Sequence, residues 1–232
     1  MDLSALKEKI FGTKDESLKK QFSQNVLMDE FMDRLHDINF HSSKDIDPLI
    51  KLAGRIDDLS DWPDNPVKFW DLEAAFWDRR VDPVTKDMII DELKKNLSGN
   101  ILNIGSGSVN YMDSVNLDIS FDMLDWNSSE DKVQADACFL PFKDSSFDSA
   151  FAVFVANYIK DAERFILEIK RVLKINSNVL FVQGKSIHPL HQLAENRLFS
   201  IDNFTGLLRR HGFAVRKIEK ENLIFLRCRI IL

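Results

Sequence analysis

Cysteine is nearly missing from this chain of 232 residues, with Cys138 and Cys228 as its two examples. Two such residues build neither a disulfide framework nor a spaced metal motif, and their scarcity suits a reducing compartment. Long apolar runs are lacking too, since none approaches the roughly 20 residues that a membrane-spanning helix needs. The opening MDLSALKEKIFGTKDESLKK alternates charged with apolar residues, so it does not read as a secretory leader. A cytoplasmic protein with no membrane partner is expected. Internal repeats and low-complexity tracts are absent as well. Positive charge is in deficit: the formal net charge is −6. Affinity for nucleic acid rests largely on Lys and Arg neutralising phosphates, so an acidic chain is a poor general binder of RNA or DNA. Residues 197–232 reverse the balance, with 8 basic against 3 acidic residues, and leave room for a local basic patch.

What is present is ordinary globular material, 44% hydrophobic and 29% charged, enough for a core and for solubility. The first hundred residues read as helices. Leu18, Phe22, Met28, Phe31, Met32, Leu35 and Ile38 recur at helical spacing, and a second stretch covers roughly Asp47 to Leu59. A third carries Phe69, Trp70, Leu72, Phe76 and Trp77. Asp82 followed by Pro83 is a helix start, and Gly99 is its stop. From Asn100 the texture changes to short apolar runs at 101–104, 114–119, 132–136, 147–156, 178–183, 213–219 and 223–232. A strong helical pattern, DAERFILEIKRVL, lies between the fourth and fifth. Strands alternating with helices predict a mostly parallel sheet covered on both faces. The last two runs follow each other with no helix between them, which permits a hairpin and an antiparallel strand. The expected organisation is a helical extension over residues 1–80 and an α/β domain over 81–232.

The chemistry concentrates in ILNIGSGSVN, where an apolar strand runs straight into Gly105 and Gly107. Glycines there let the chain turn sharply and let a ligand lie against backbone amides. A tight turn with no ligand is the plainer alternative. SVNLDIS then closes the second strand with Asp118, placed to accept both hydroxyls of a ribose; capping a loop is its alternative. KVQADACFLPF ends a strand at Asp136, where an acid accepts from the exocyclic amine of adenine and Ala137 offers an amide to the ring. A nicotinamide site fits worse, because Asn110 stands where GxGxxG needs its third glycine and Asp118 arrives too early. No Gly-Lys-Ser/Thr follows the glycines, which excludes a P-loop.

The order of these elements resembles the class I S-adenosylmethionine-dependent methyltransferases of the type 11 group, over about Asn100 to Ile218. The glycine loop, the acid closing strand two and Asp136-Ala137 before Leu140-Pro141-Phe142 carry the likeness. So do FKDSSFDSAFAV, LEIKRVLK and the late Gly-Phe of RRHGFAVRKIE. The resemblance implies a Rossmann-like, doubly wound sheet of seven strands in the order 3-2-1-4-5-7-6, with the seventh antiparallel. It implies S-adenosylmethionine as cofactor, held by Asn103, Gly105, Ser106, Gly107, Asp118, Ile119, Asp136, Ala137, Phe154 and Asn157. Three departures stand out. Asn103 replaces the usual acid before the first glycine, Val109 replaces a glycine, and the Gly107–Asp118 interval holds at most one or two helical turns.

Methyl transfer needs a base only where the acceptor must lose a proton. Tyr158, His188 and His191 are the candidates, and a surface or capping role is the plainer reading of each histidine. His188, His191 and Glu195 would share a helix face, but no other ligand is evident and no metal is expected. Trp62, Trp70 and Trp77 are candidates for a substrate lid, or for ordinary packing. The expected function is methylation of a small molecule. Methylation of RNA or protein, and a non-catalytic binding or scaffold role, are the alternatives.

Overall fold

The computed structural model describes residues 16–41, 46–196 and 199–231. The leader reading made on the first twenty residues therefore falls largely outside the described chain. Two compact units divide at Asn65/Pro66. The first holds helix α1 (Glu16–His41), helix α2 (Asp47–Ala53) and a single 3-10 turn at Asp57–Leu59. Within it Phe31 meets Trp62 edge-on at 5.3 Å, and Gln24 hydrogen-bonds the backbone of Arg55 and Asp57. The apolar spacing over 18–38 is thus a helix, as its period requires.

The second unit opens with helix α3 (Pro66–Arg80) and helix α4 (Pro83–Asn96). The domain boundary expected at residue 80 falls at the end of α3, which belongs to this unit. Asp82 caps α4 as expected, its carboxylate accepting from the Thr85 amide at 3.0 Å. Seven strands follow: β1 (Ile101–Ile104), β2 (Val115–Asp118), β3 (Lys132–Gln134), β4 (Phe147–Val153), β5 (Leu173–Gly184), β6 (Phe213–Lys220) and β7 (Leu223–Ile230). Their order in the sheet is β3-β2-β1-β4-β5-β7-β6. All pairs are parallel except those of β7, which runs antiparallel to both β5 and β6. The Rossmann-like order implied by the sequence is the order observed.

Helices α5 (Phe121–Trp126), α6 (Ala162–Val172) and α7 (Ile201–Arg210) complete the unit. The sequence reading names no helix at 201–210. Ser200 starts it by accepting from the Asn203 amide, and Phe204 and Leu208 are its buried side. The strand read at 178–183 also begins earlier, at Leu173, because the residues after α6 pair with β4 through an irregular register. Side chains alternate between the two faces as the pleat demands. Leu102 and Ile104 join a core with Phe165, Ile169 and Phe181, under α6 and α7. Ile101, Phe151, Leu180 and Phe225 face the opposite way, onto Ile89 and Leu93 of α4. Buried Glu92 of α4 ties that layer to the sheet, pairing with Lys220 of β6 and Arg227 of β7.

The LEIKRVLK stretch has a structural task. Glu168 accepts from the Leu140 amide and from Arg171, which pulls its carboxyl below the ordinary range. Arg171 also donates to the carbonyls of Leu140 and Phe142 and to Asp144. One guanidinium thus fastens the loop between β3 and β4 to α6. Arg171→Met leaves two carbonyls and the Glu168 charge without their partner. The expected cost is about 2–3 kcal/mol in urea unfolding, since breaking a largely buried charged pair is expensive. A loss below 0.5 kcal/mol would contradict this role.

Candidate functional site

At the carboxyl end of β1 the backbone enters the left-handed region twice, at Gly105 (φ 65°) and Gly107 (φ 56°). The two glycines are needed for different reasons. A side chain at 105 would lie 2.5 Å from the Val155 methyl, so Gly105 lets the turn pack against the segment after β4. A side chain at 107 would meet the Trp77 indole, with Nε1 at 3.1 Å. The turn is bound to β2 from below. Ser106 donates its amide to the Leu117 carbonyl, and Gly107 donates to Asp118 Oδ2 at 2.8 Å. The interval from Gly107 to β2 holds no helix.

Asp118 is buried, with Oδ1 accepting from the Ser120 amide at 2.9 Å. Burial pushes its carboxyl up to about 6, against the pull of the Ser120, Gly107 and Ile119 amides; the Asp71 charge adds to the rise. Ser120 caps α5 and donates to Asp71 of α3 at 2.5 Å. Asn127, at the end of α5, donates to the Gly107 carbonyl at 2.9 Å. The glycine turn, β2, α5 and α3 therefore form one hydrogen-bonded block.

Further along the sheet, Asp136 is exposed and accepts from the Cys138 amide at 2.8 Å, while Ala137 is buried beside it. Ile119 is half-buried. Asn103 points sideways in the sheet, donating its amide to Asn116 at 2.9 Å. Phe154 lies just past β4 with φ 59°, an uncommon conformation for a bulky residue and one that accumulates at functional sites. Asn157 is buried and accepts from Gln183 at 2.6 Å, and its carbonyl accepts from the Asn196 amide. Among the described residues, Ser108 Oγ, Asn110 Oδ1, Tyr111 Oη and Gln183 Oε1 are buried polar atoms without a hydrogen-bond partner, groups that buried sites normally pair.

The base candidates divide. Residues 189–193 form a 3-10 turn ending before Glu195, so the shared helix face does not exist. His188 caps that turn, Nδ1 accepting from the Leu190 amide, and burial with nearby Arg80 lowers its pKa to about 4. Tyr158 is pushed above the ordinary tyrosine range by burial and keeps its proton. His191 is buried, with Nε2 at 2.9 Å from Glu73 Oε2. Arg80 donates to the same oxygen at 2.6 Å. Glu73 and Arg80 escape the sequence reading, although a signal exists. Glu73 stands four residues after Phe69 and three before Phe76 on the buried side of α3. Aromatic rings enclose His191, with Trp77 at 5.3 Å, Trp70 at 5.7 Å and Phe69 at 6.0 Å between centroids.

Residues 102–181 match the family model described as a methyltransferase domain. The fold is that of the class I methyltransferases. A methyltransferase from Aquifex aeolicus, dependent on S-adenosylmethionine, superposes with a TM-score of 0.56 at 15% identity, covering 68% of this chain and 98% of its own. O-methyltransferase cnsE of Penicillium expansum is 33% identical over 100 residues, 38% of this chain and 36% of the relative. An uncharacterized protein of Methanocaldococcus jannaschii is 29% identical over 151 residues, 60% of this chain and 58% of the relative. The chain thus spans between about a third and three fifths of the length of these relatives. Among the described residues no helix is long and apolar enough to cross a membrane.

The two glycines of the turn after β1 are separable by experiment. Alanine is strained at either position because both are left-handed, but Gly105→Ala also drives a methyl into stiff Val155, whereas Gly107→Ala asks Trp77 to shift by a few tenths of an ångström. We expect the thermal midpoint to fall more for Gly105→Ala than for Gly107→Ala. Equal or reversed losses would contradict the packing described.

Proposed function

We propose that the chain transfers a methyl group from S-adenosylmethionine to a small molecule. The observation that carries this reading is the left-handed Gly105–Gly107 turn, backed by the Asp118 carboxylate in a sheet of this strand order. S-adenosylmethionine, when bound, supplies an electrophilic methyl group on a sulfonium sulfur. The residues fit that cofactor. The Asp118 oxygens, which take the amides of Gly107 and Ser120, keep lone pairs for the ribose hydroxyls. Asp136 and the Ala137 amide suit adenine, with Ile119 and Phe154 as apolar contacts. Gly105, Ser106 and Gly107 suit the methionine side, and Asn157 is placed by Gln183 at the ends of β4 and β5. Asn103, committed to Asn116, supports the turn from within the sheet.

Alignment and exclusion of water supply most of the acceleration of methyl transfer. Helix α3 meets both needs, because Trp77 lies against Gly107 and Trp70 packs on Tyr158 at 4.8 Å. In this reading the lid is α3, residues 66–80, within the second unit. The likeness to an O-methyltransferase favours a hydroxyl acceptor, and the acidic charge counts against RNA. A non-catalytic scaffold is the second reading. One observation favours it: Trp77 covers the backbone against which the cofactor would lie.

Titration calorimetry with S-adenosylhomocysteine separates the two. Methyl transfer expects micromolar binding, weakened at least about tenfold by Asp118→Ala, an effect worth about 1.4 kcal/mol. Circular dichroism checks that the variant keeps its fold. Ionised Asp118 accepts from hydroxyls and protonated Asp118 does so poorly, so affinity should fall as pH drops through about 6. The same raised pKa makes ionisation unfavourable to folding, so its stabilising share is present below pH 4 and lost as pH rises through about 6. No binding to the wild type would favour the scaffold reading, and unchanged affinity in Asp118→Ala would remove Asp118 from the site.

A further inference from the structure

Resting on the methyl-transfer reading, we infer that His191 takes the proton of a phenolic acceptor and that Glu73 is the positioning residue that fixes it for this task. The geometry starts from Glu73, buried in α3 beside a guanidinium that stays charged at every accessible pH. A carboxylate in that pairing accepts and does not donate. The ring nitrogen facing it at 2.9 Å, His191 Nε2, must therefore carry the hydrogen. In the neutral imidazole this leaves Nδ1 as the basic nitrogen. Burial keeps the ring neutral, lowering its pKa against the opposing pull of Glu73, while the Arg80 charge lowers it further. The other titratable neighbours are His188 on the same turn and Tyr158 after β4.

The walls indicate the acceptor. Phe69, Trp70, Trp77 and Tyr158 meet the His191 ring edge-on or tilted, so an acceptor that reaches this histidine does so among aromatic rings, which a flat ring would match. Trp77 also touches the Gly107 position, so one indole separates His191 from the glycine turn. An amine attacks through its free lone pair and needs no base beforehand. A neutral phenol is a poor nucleophile until its proton leaves, which gives a fixed base its use. In the step, the phenol O–H bond breaks and its proton goes to Nδ1 of His191. The oxygen pair forms the new bond to the methyl carbon, and the carbon–sulfur bond breaks with its pair left on sulfur. The proton later returns to solvent.

The test measures three variants with catechol and, for comparison, aniline as acceptors, following S-adenosylhomocysteine release. Binding of S-adenosylhomocysteine is measured separately. The wild type should turn over catechol, and any turnover of aniline should be independent of His191. His191→Gln should lose roughly 100-fold in kcat, keep its affinity for S-adenosylhomocysteine, and recover partly at high pH, where phenolate forms by itself. Glu73→Gln should lose about tenfold and shift the acidic limb of the kcat profile. Imidazole nitrogen NMR gives a readout without turnover. His191 should titrate below the ordinary histidine range as the Nε2–H tautomer, and Glu73→Gln should mix its tautomers. Glu73→Asp, which keeps the charge, should restore the single tautomer. A merely structural pair would lower the thermal midpoint in these variants without rescue at high pH. That result, an unchanged tautomer in Glu73→Gln, or wild type that binds S-adenosylhomocysteine yet ignores catechol would each overturn the inference while sparing the methyltransferase reading. Failure to bind S-adenosylhomocysteine would overturn both.

Discussion

A carboxylate withdrawn from water at the end of the second strand must be met by donors, and Asp118 is met by the amides of Gly107 and Ser120. The rest of the site depends on that constraint. The amide of Gly107 points down at Asp118 because the glycine is left-handed, and this bends the turn back over β2. The amide of Ser120 comes from the start of α5, so the same carboxyl group fixes where that helix begins. No helix is needed between β1 and β2, because this contact does the work of holding the turn in place. A short interval that departs from the usual pattern is therefore compatible with a fully ordered loop.

Above that block lies a second polar knot of different character. Glu73, Arg80 and His191 are brought together inside aromatic walls, where an unpaired charge would be costly. Replacing such a cluster by apolar residues is often neutral for stability, so burial of a carboxylate, a guanidinium and an imidazole in one place asks for a purpose. The two knots meet through α3. Asp71 accepts from Ser120, Trp77 rests on Gly107, and Glu73 holds His191. One helix thus joins the block around Asp118 to the knot around His191, the two places that the proposed reading gives to cofactor and acceptor.

Much of this was legible beforehand, for physical reasons. Strand positions were legible as short continuous apolar runs, because strands covered on both faces bury nearly all their side chains, and the order of the sheet followed from the resemblance. Gly105, Gly107 and Asp118 were legible because each does something that few residue types can do at a strand end. The Asn103–Asn116 pair was not, since it depends on the register between two strands, Asn103 facing Asn116. Helix α7 was missed although Ser200 marks its start and the spacing of Phe204 and Leu208 fits a helix. Glu73 and Arg80 were harder to read, even though Glu73 shares the buried side of α3 with Phe69 and Phe76. Their partner lies more than a hundred residues away, and a charged residue on a helix is normally read as solvated.

The position of α3 carries the argument one step further. The methyltransferase match begins at residue 102, so the helix bearing Trp70, Glu73 and Trp77 lies wholly before it. The matched segment supplies the glycine turn and the acid, the groups that the proposed reading assigns to the cofactor. The residues that meet an acceptor have no reason to be shared, since acceptors differ between enzymes. Binding energy realised around the acceptor is what distinguishes one substrate from another. On the proposed reading, that specificity would come from α3 and the turn at 189–193, outside the matched segment and tied to it by Asp71, Ser120 and Trp77.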